Sequence, residues 1–250
     1  AGVVVITAAA DGASITNTAA ITGTAAGGVT LNADDMILAS GTIVATGSVA
    51  TLRSSTAGDA VDLGDGTDGD ADVLELSDAE LDTITATNLR IGATTQGAIV
   101  VSTAISPGAA TNLSLLSDAG VTQAGSATIT VTGLNIDVDD AVVLTEANVI
   151  TTLAANVSTA SAAFSFTDAA GLATGTVDGT AGVTTANGTI TLVATTGNIA
   201  TAAAVNSVAG VVVITAAADG ASITNTAAIT GTAAGGVTLN ADDMILASGT

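Results

Sequence analysis

The chain has 250 residues with 23 acidic side chains, two arginines and neither lysine nor histidine, which gives a formal net charge of -21. It has no Cys, Trp or Tyr, only two Phe and one Pro, although 48% of its residues are apolar. This composition excludes catalysis by His, Cys, Lys or Tyr, removes the usual ligands of zinc, haem and iron–sulfur sites, and lacks the basic surface that nucleic-acid binding needs. A structural or adhesive protein remains, or an enzyme that works with carboxylates alone.

The apolar residues are mostly Ala, Val, Ile and Leu, and Thr is abundant. Because Val, Ile and Thr are stiff at the first side-chain torsion, they favour pleated strands over helices. The longest strongly apolar runs, such as residues 3–6, have four or five residues, far short of the roughly 20 that a membrane helix needs. The sequence therefore predicts an all-β protein with a thin core of small side chains and no membrane insertion.

The first element in chain order is a long exact repeat. Residues 1–42 and residues 209–250 are identical, at an offset of 208 residues. The simplest explanation is a tandem array, in which residues 1–208 form one full unit and residues 209–250 begin the next identical unit. We expect residues 1–250 to form one continuous solenoid within a longer array.

A finer repeat lies inside this unit. Strand-like runs begin at Ser126, Gly188, Gly210 and Gly236, and the last three are spaced by 22 and 26 residues. Irregular steps of about 20–28 residues with short strands are typical of a β-solenoid, whose coils bury their apolar faces only by stacking. The pattern predicts a parallel β-helix of roughly 11 coils, with neighbouring strands about 4.8 Å apart. An antiparallel β-sandwich array is the alternative, but it would favour aromatic core residues and prolines in loops.

Alternation within the predicted strands indicates which side chains face the core. In residues 83–85, 128–132 and 189–192, threonines alternate with Ile, Val or Leu, so the apolar residues are predicted to face inward. Phe164 and Phe166 are two residues apart and therefore share a face, which we expect to be the core. Pro107 is predicted to lie in a turn between strands.

Acidic residues are concentrated in one stretch. Ten of the 23 acids lie between Asp59 and Asp82, and its centre reads GDGTDGDAD over residues 64–72. Alternating Gly and Asp offers oxygen ligands for calcium, although an EF-hand loop counted from Asp68 would need Gly where Val73 stands. The alternative is a long solvated turn that leaves the solenoid. No other cofactor is expected, and the calcium candidates are Asp65, Asp68, Asp70 and Asp72.

Two further sets of charged residues have a predicted place. Arg53 and Arg90 bracket the acidic stretch, and we expect them to pair with its carboxylates across coils. The acidic pairs at residues 34–35 and 139–140 are predicted to be exposed corners of the solenoid.

Three segments carry a family resemblance. Residues 60–92 (AVDLGDGTDGDADVLELSDAELDTITATNLRIG), residues 29–47 (VTLNADDMILASGTIVATG) and residues 190–201 (ITLVATTGNIAT) resemble segments of filamentous-haemagglutinin-like giant repetitive bacterial surface proteins. The resemblance implies a right-handed parallel β-helix, secretion across the outer membrane and a role at the cell surface. It is a resemblance of repeat type, so it assigns no site residues.

Three functions compete. The leading hypothesis is a non-catalytic structural segment of a long extracellular bacterial fibre or surface stalk, whose partner is itself, through end-to-end stacking and lateral contacts. An adhesin or ligand-binding module for glycans or surfaces, with a role for calcium, is the alternative. Ice binding is disfavoured because the TxT strings at residues 83, 128 and 189 are not spaced as one coil. An enzyme is not expected, since carbohydrate subsites need the aromatic and basic groups that this chain lacks.

Overall fold

The computed structural model describes residues 2–24, 27–70 and 72–247. These residues form strands joined by short turns, with a single four-residue helix, so the chain is 2% helical. The elements are β1 (Val4–Thr7), β2 (Ser14–Thr16), β3 (Ala20–Thr22), β4 (Val29–Asn32), β5 (Asp35–Ile37), β6 (Thr42–Arg53), β7 (Ala60–Leu63), β8 (Val73–Leu76), α1 (Asp78–Leu81), β9 (Ile84–Gly92), β10 (Ile99–Val101), β11 (Ala110–Ser117), β12 (Val121–Gln123), β13 (Thr130–Val138), β14 (Val142–Val157), β15 (Phe164–Asp168), β16 (Leu172–Thr174), β17 (Thr176–Val177), β18 (Thr180–Ala181), β19 (Val183–Thr185), β20 (Ile190–Ala194), β21 (Ile199–Thr201), β22 (Val205–Ser207), β23 (Val212–Ala216), β24 (Ser222–Asn225), β25 (Ile229–Gly231), β26 (Val237–Asn240) and β27 (Asp243–Leu246).

The strands build a β-solenoid of about 11 turns, which confirms the predicted fold class. By compactness the chain divides into two units, residues 1–131 and residues 132–250, and the division falls within β13. Each unit is described by itself below. That residues 1–250 form one continuous solenoid stays a prediction.

In the first unit, strands stack in parallel columns, each strand pairing with the strand one coil later. One column runs through β1, β4, β6, β9 and β11, and its register pairs Val4 with Val29 and Val29 with Ala50. A second column runs through β3 and the beginnings of β6 and β9. In the first column, the Val4–Val29 and Val29–Ala50 pairs join residues 25 and 21 positions apart, which is within the predicted coil length.

One coil of the first unit is much longer than the others. Ile43 pairs with Ile84, 41 residues later. The residues between them form two additional strands, β7 and β8, which pair with each other. There β7 pairs on one side with β10 and on the other with β8, which packs near β5. The loop between β7 and β8 therefore carries the chain backwards along the column. This extra strand was not predicted from the sequence.

The second unit has three columns that all start from the 16-residue strand β14. The first runs through β15, β20, β23 and β26, the second through β16, β21, β24 and β27, and the third through β19, β22 and β25. Every one of these pairings is parallel. The short hairpin of β17 and β18 is antiparallel and leaves the columns after β16.

The core consists of the inward-facing residues of the columns, as the alternation predicted. Ile129, Ile190 and Leu192 are buried, and the threonines between them are exposed or half-buried. Phe164 and Phe166 are fully buried, which confirms their predicted place in the core. Burying one such large side chain contributes about 1.5–3 kcal/mol, and the column provides this burial without any disulfide.

Turns between the columns use residues with particular backbone freedom. The Pro107 carbonyl accepts a hydrogen bond from the Ala110 amide at 3.2 Å, which confirms the turn predicted there. Gly28 has a positive φ of 58°, and a Cβ at this position would lie 1.8 Å from the Val49 carbonyl oxygen. Only glycine fits where the next coil passes this close.

The single helix α1 begins with a capping box. The Ser77 hydroxyl accepts from the Glu80 amide at 3.3 Å, and the Glu80 carboxylate accepts from the Ser77 amide at 3.0 Å. Among the described residues, no helix has the length and apolar character needed to cross a membrane.

Candidate functional site

The four calcium candidates lie in or beside the loop between β7 and β8. Asp65 is half-buried, whereas Asp68, Asp70 and Asp72 are exposed. Asp65 accepts from the Thr67 amide at 3.0 Å and Asp70 from the Asp72 amide at 3.2 Å. These two carboxylates thus close local turns two residues long.

No group of three or more acidic side chains in residues 2–24, 27–70 and 72–247 is arranged so that it could hold a metal ion. The loop is largely exposed, as expected for a solvated turn, but it leads directly into the strand β8. Calcium binding by the four aspartates stays a prediction.

The carboxyl groups of Asp68, Glu80 and Asp35 lie close enough together to affect one another's ionisation. Although Asp68 is exposed, partial loss of water around its carboxyl, together with the negative charges of Glu80 and Asp35, raises the pKa of Asp68 to about 6. Burial and the charge of Glu80 also raise the pKa of Asp35. Glu80 itself is buried and accepts from the Leu38 amide at 2.8 Å, which ties α1 to the preceding coil.

The most elaborate polar site surrounds Asp34, which is fully buried. Its Oδ1 accepts from the hydroxyl of Ser54 at 2.6 Å, from the amide and hydroxyl of Ser55, both at 2.8 Å, and from the amide of Thr56 at 3.0 Å. Its Oδ2 accepts from the Thr56 hydroxyl and from the Gly12 amide, both at 3.0 Å. We call Asp34 with residues 54–56 the aspartate seal.

The prediction that Asp34 and Asp35 form an exposed corner was wrong, since Asp34 is fully buried and Asp35 is half-buried at the start of β5. Asp34 does lie at a corner, but the next coil covers it with residues 54–56, whose donors replace water. Burial opposes ionisation of Asp34, yet the hydrogen bonds from Ser54, Ser55 and Thr56 outweigh it and hold its pKa well below the usual range. Asp139 and Asp140 are exposed, as predicted.

A second carboxyl group shares the seal. The Ser54 hydroxyl lies 2.6 Å from Asp34 and also 2.6 Å from Oδ2 of Asp59, which is buried. One hydroxyl proton cannot serve two ionised carboxylates at this distance. Burial raises the pKa of Asp59, the Ser54 hydroxyl opposes this, and the nearby negative charge of Asp34 adds to it. Asp34, Ser54 and Asp59 therefore form one buried hydrogen-bonded cluster, with the Ser54 hydroxyl between the two carboxyl groups.

The two arginines lie on adjacent strands beside the seal. Arg90 follows Leu89 in β9 and pairs with Thr51 in β6. Arg53 lies two residues after Thr51, so it projects from the same face of the sheet as Thr51 and Arg90. A groove of about 310 Å³ is lined by both arginines, and a second of about 330 Å³ by Arg53 and residues 54–57. Paired guanidinium groups beside hydroxyls can take a carboxylate.

Arg53 does not pair with the acidic stretch. Its Nε donates to Oδ1 of Asn32 at 2.5 Å, and Asn32 in turn donates to the Thr7 hydroxyl at 3.0 Å. Among the described residues Arg53 has no carboxylate partner, so its expected ion pair was wrong. The register explains this, because Asn32 is the neighbour of Arg53 in the preceding coil.

The aspartate seal was not predicted, although the sequence carries a signal for it. The run Ser54-Ser55-Thr56 follows Asp34 by 20–22 residues, which is one coil step, and hydroxyl residues often bind a carboxylate in a turn. The capping box of α1 was equally readable from Ser77 and Glu80.

No protein-family model, no curated protein and no solved structure matches this chain. The fold is that of a β-helix repeat protein, which is compatible with a structural or an adhesive repeat.

Proposed function

We propose that this chain is a non-catalytic structural segment of a long extracellular fibre or surface stalk of a bacterium, of the filamentous-haemagglutinin-like type. One observation carries the proposal: the repeated 42-residue sequence forms the same series of strands twice. Residues 4–7, 14–16 and 20–22 form β1, β2 and β3, and the same sequence 208 residues later forms β23, β24 and β25. A tandem array gains length from such a unit, whereas a single active site gains nothing from duplication.

The bonding within each unit supports a mechanical role. Parallel ladders join each coil to the next through backbone hydrogen bonds along every column, so stiffness needs neither disulfides nor a thick core. The net charge of -21 keeps such segments soluble and separate. The partner of the segment is then another solenoid segment of the same kind.

The chemistry of the acidic groups supports a non-catalytic role. Asp34 and Asp59, the pair bridged by Ser54, are buried, and both oxygens of Asp34 are occupied by donors. A general base needs a carboxylate within hydrogen-bond reach of a substrate proton, and this carboxylate is already enclosed by residues 54–56.

Electron microscopy of native material tests the proposal. Nine coils per 208-residue unit at the strand spacing predict filaments with an axial repeat of about 43 Å and a coil spacing of about 4.8 Å. Surface labelling of intact cells with an antibody to the segment checks its location. Isolated globular particles, or a protein confined to the cytoplasm, would contradict the proposal.

A further inference from the structure

The only two basic side chains of the chain lie together on the first unit. Arg90 in β9 pairs with Thr51 in β6, and Arg53 follows two residues after Thr51. Leu52 and Leu89 beside them are fully buried, so both arginines stand on the outward side of the column. A chain with 23 acidic residues therefore presents both of its basic side chains at one place.

A groove of about 310 Å³ is lined by both arginines. Gly92 belongs to its lining, and the register of β6 and β9 places Gly92 beside Arg53. A Cβ at Gly92 would lie 2.2 Å from the carbonyl oxygen of Leu116 in the next strand, so no larger residue fits there. The position next to Arg53 therefore carries no side chain, which leaves room for the groove.

A second groove, of about 330 Å³, adjoins the first because Arg53 lines both. We call the two together the arginine groove. Its lining includes the hydroxyl groups of Thr30, Thr51, Thr94 and Thr95. The described residues contribute no acidic and no aromatic side chain to it, and Asp34 is buried behind residues 54–56. An anion in the groove therefore meets guanidinium groups and hydroxyls rather than carboxylates.

Arg53 is held in position by its neighbour in the preceding coil. Its Nε donates to Oδ1 of Asn32 at 2.5 Å, and Asn32 donates to the Thr7 hydroxyl. Within the described part of the chain, the two terminal NH2 groups of Arg53 have no further hydrogen-bond partner, and the side chain is exposed. A guanidinium that is oriented beforehand loses less conformational entropy when it binds a ligand. Arg53 thus offers an oriented pair of donors to a planar anion.

The lining of the arginine groove selects a small hydrophilic anion. A guanidinium binds a carboxylate through two parallel hydrogen bonds, and threonine hydroxyls both donate and accept, as the hydroxyls of a sugar require. A protein partner would need aromatic or large apolar anchors, and Leu116 is the only large apolar residue that the described chain contributes to the lining. Both grooves are near the lower end of the range of ligand pockets, about 300–1,000 Å³, so the ligand is small.

We propose that the arginine groove binds a sugar acid. The carboxylate of the ligand lies on Arg53 and Arg90, and its hydroxyls bind Thr30, Thr51 and Thr94. A free sugar acid and a uronate unit of an acidic polysaccharide share this chemistry. The site goes beyond the proposed structural role and is complete within the first unit. In the proposed tandem array it recurs every 208 residues, so a long polysaccharide would engage several copies at once and bind more tightly.

An NMR titration of the whole 250-residue chain with galacturonate tests the site. Galactose, which lacks the carboxylate, is the matched control ligand. We expect galacturonate, and not galactose, to shift the amide signals of residues 51–53 and 90–94. Polygalacturonate then distinguishes the two sources of the ligand. Tighter binding of the polymer than of the monomer supports a polysaccharide ligand, and binding of the monomer alone supports a free sugar acid.

Three substitutions test the arginines directly. Arg53→Gln and Arg90→Gln each remove one positive charge from the groove, and we expect either change to weaken galacturonate binding about tenfold or more, because a charge-assisted pair is lost. Arg53→Lys keeps the charge but not the planar fork, so it should weaken binding as well. Asn187→Asp, at an exposed bend of the second unit, changes the net charge by the same amount and should leave binding unchanged. Matching circular dichroism spectra check that each variant is folded.

Several results would overturn the inference: no shift with galacturonate, equal binding of galactose, or undiminished binding by both glutamine variants. Polyglutamate and dextran sulfate serve as competing ligands. Tighter binding of polyglutamate than of polygalacturonate would indicate an acidic protein partner, and tighter binding of dextran sulfate would indicate a sulfated ligand, so either result would also overturn it. Native fibres built from a chain that binds no galacturonate would contradict this inference and leave the proposed function standing.

Discussion

Replacing Asp34 by Asn tests whether the aspartate seal holds two coils together. The asparagine side chain places an NH2 group where one carboxylate oxygen of Asp34 stood. This donor then faces other donors, either the backbone N–H of Gly12 or those of Ser55 and Thr56. A buried donor without an acceptor costs about 1–3 kcal/mol, and the remaining hydrogen bonds lose their charge assistance. We therefore expect Asp34→Asn to lower the free energy of unfolding of the seal by about 3 kcal/mol.

The chain contains its own control for this substitution. Asp242 repeats Asp34, and it accepts from the Gly220 amide at 2.7 Å as Asp34 accepts from Gly12. It has no counterpart of residues 54–56 in the described part of the chain and is exposed. Asp242→Asn should therefore cost about 0.5 kcal/mol or less.

Amide hydrogen exchange measured by NMR reports the result locally. A loss of 3 kcal/mol should make the amides of Ser55 and Thr56 exchange about a hundredfold faster, since about 1.4 kcal/mol is a factor of ten. The pKa of Asp34 is below its usual 3.8, so the seal persists above that pH and is lost as the pH falls through the lowered value. Equal effects of Asp34→Asn and Asp242→Asn on exchange would refute the reasoning.

Two further predictions concern the loop before β8 and the close approach of two coils. The pKa of Asp68 is raised to about 6 from 3.8. Its contribution to stability is therefore present below pH 3.8 and is lost as the pH rises through 6. Amides of residues 64–70 should exchange faster at pH 7 than at pH 5 after correction for intrinsic rates. Asp68→Asn should abolish this difference, Asp118→Asn should preserve it, and a difference that survives Asp68→Asn would contradict the assignment. Gly28→Ala should cost more than 2 kcal/mol in denaturant unfolding because its Cβ would meet the Val49 carbonyl. The identical change at Gly236, where the nearest atom is 3.8 Å away, should cost only about 1 kcal/mol for its positive φ, and similar losses at the two glycines would argue against the close contact.

Much of the fold could be predicted because a solenoid is specified by local patterns. Alternation of Thr with Ile or Leu assigns the inward face, and turn residues set the coil length. Both features can therefore be predicted from the sequence of a single coil. The reversed order of β7 and β8 could not be found this way. It depends on which neighbour each strand selects, and Val73–Leu76 has the same alternating pattern as any other strand of the column.

The candidate site was harder to predict for a related reason. From the sequence alone, a charged residue such as Asp34 is predicted to be exposed. In the structure it is covered by hydrogen-bond donors of the next coil, which lie 20–22 residues away in the sequence. Arg53 shows the same effect, since its partner Asn32 is chosen by the register rather than by the density of acids nearby. The local sequence determines whether a side chain points inward or outward, and the adjacent coil determines which hydrogen-bond partners it has.

The aspartate seal also has a consequence for the order in which the chain folds. All the hydrogen bonds that Asp34 accepts come from residues at most 22 positions away, so these bonds can form as soon as residue 56 has been synthesised. Chains with such local contacts fold quickly, because little loop-closure entropy is lost before each contact forms. The long step from Ile43 to Ile84 is the exception. There we expect coil-by-coil folding to pause until the chain has doubled back through β8.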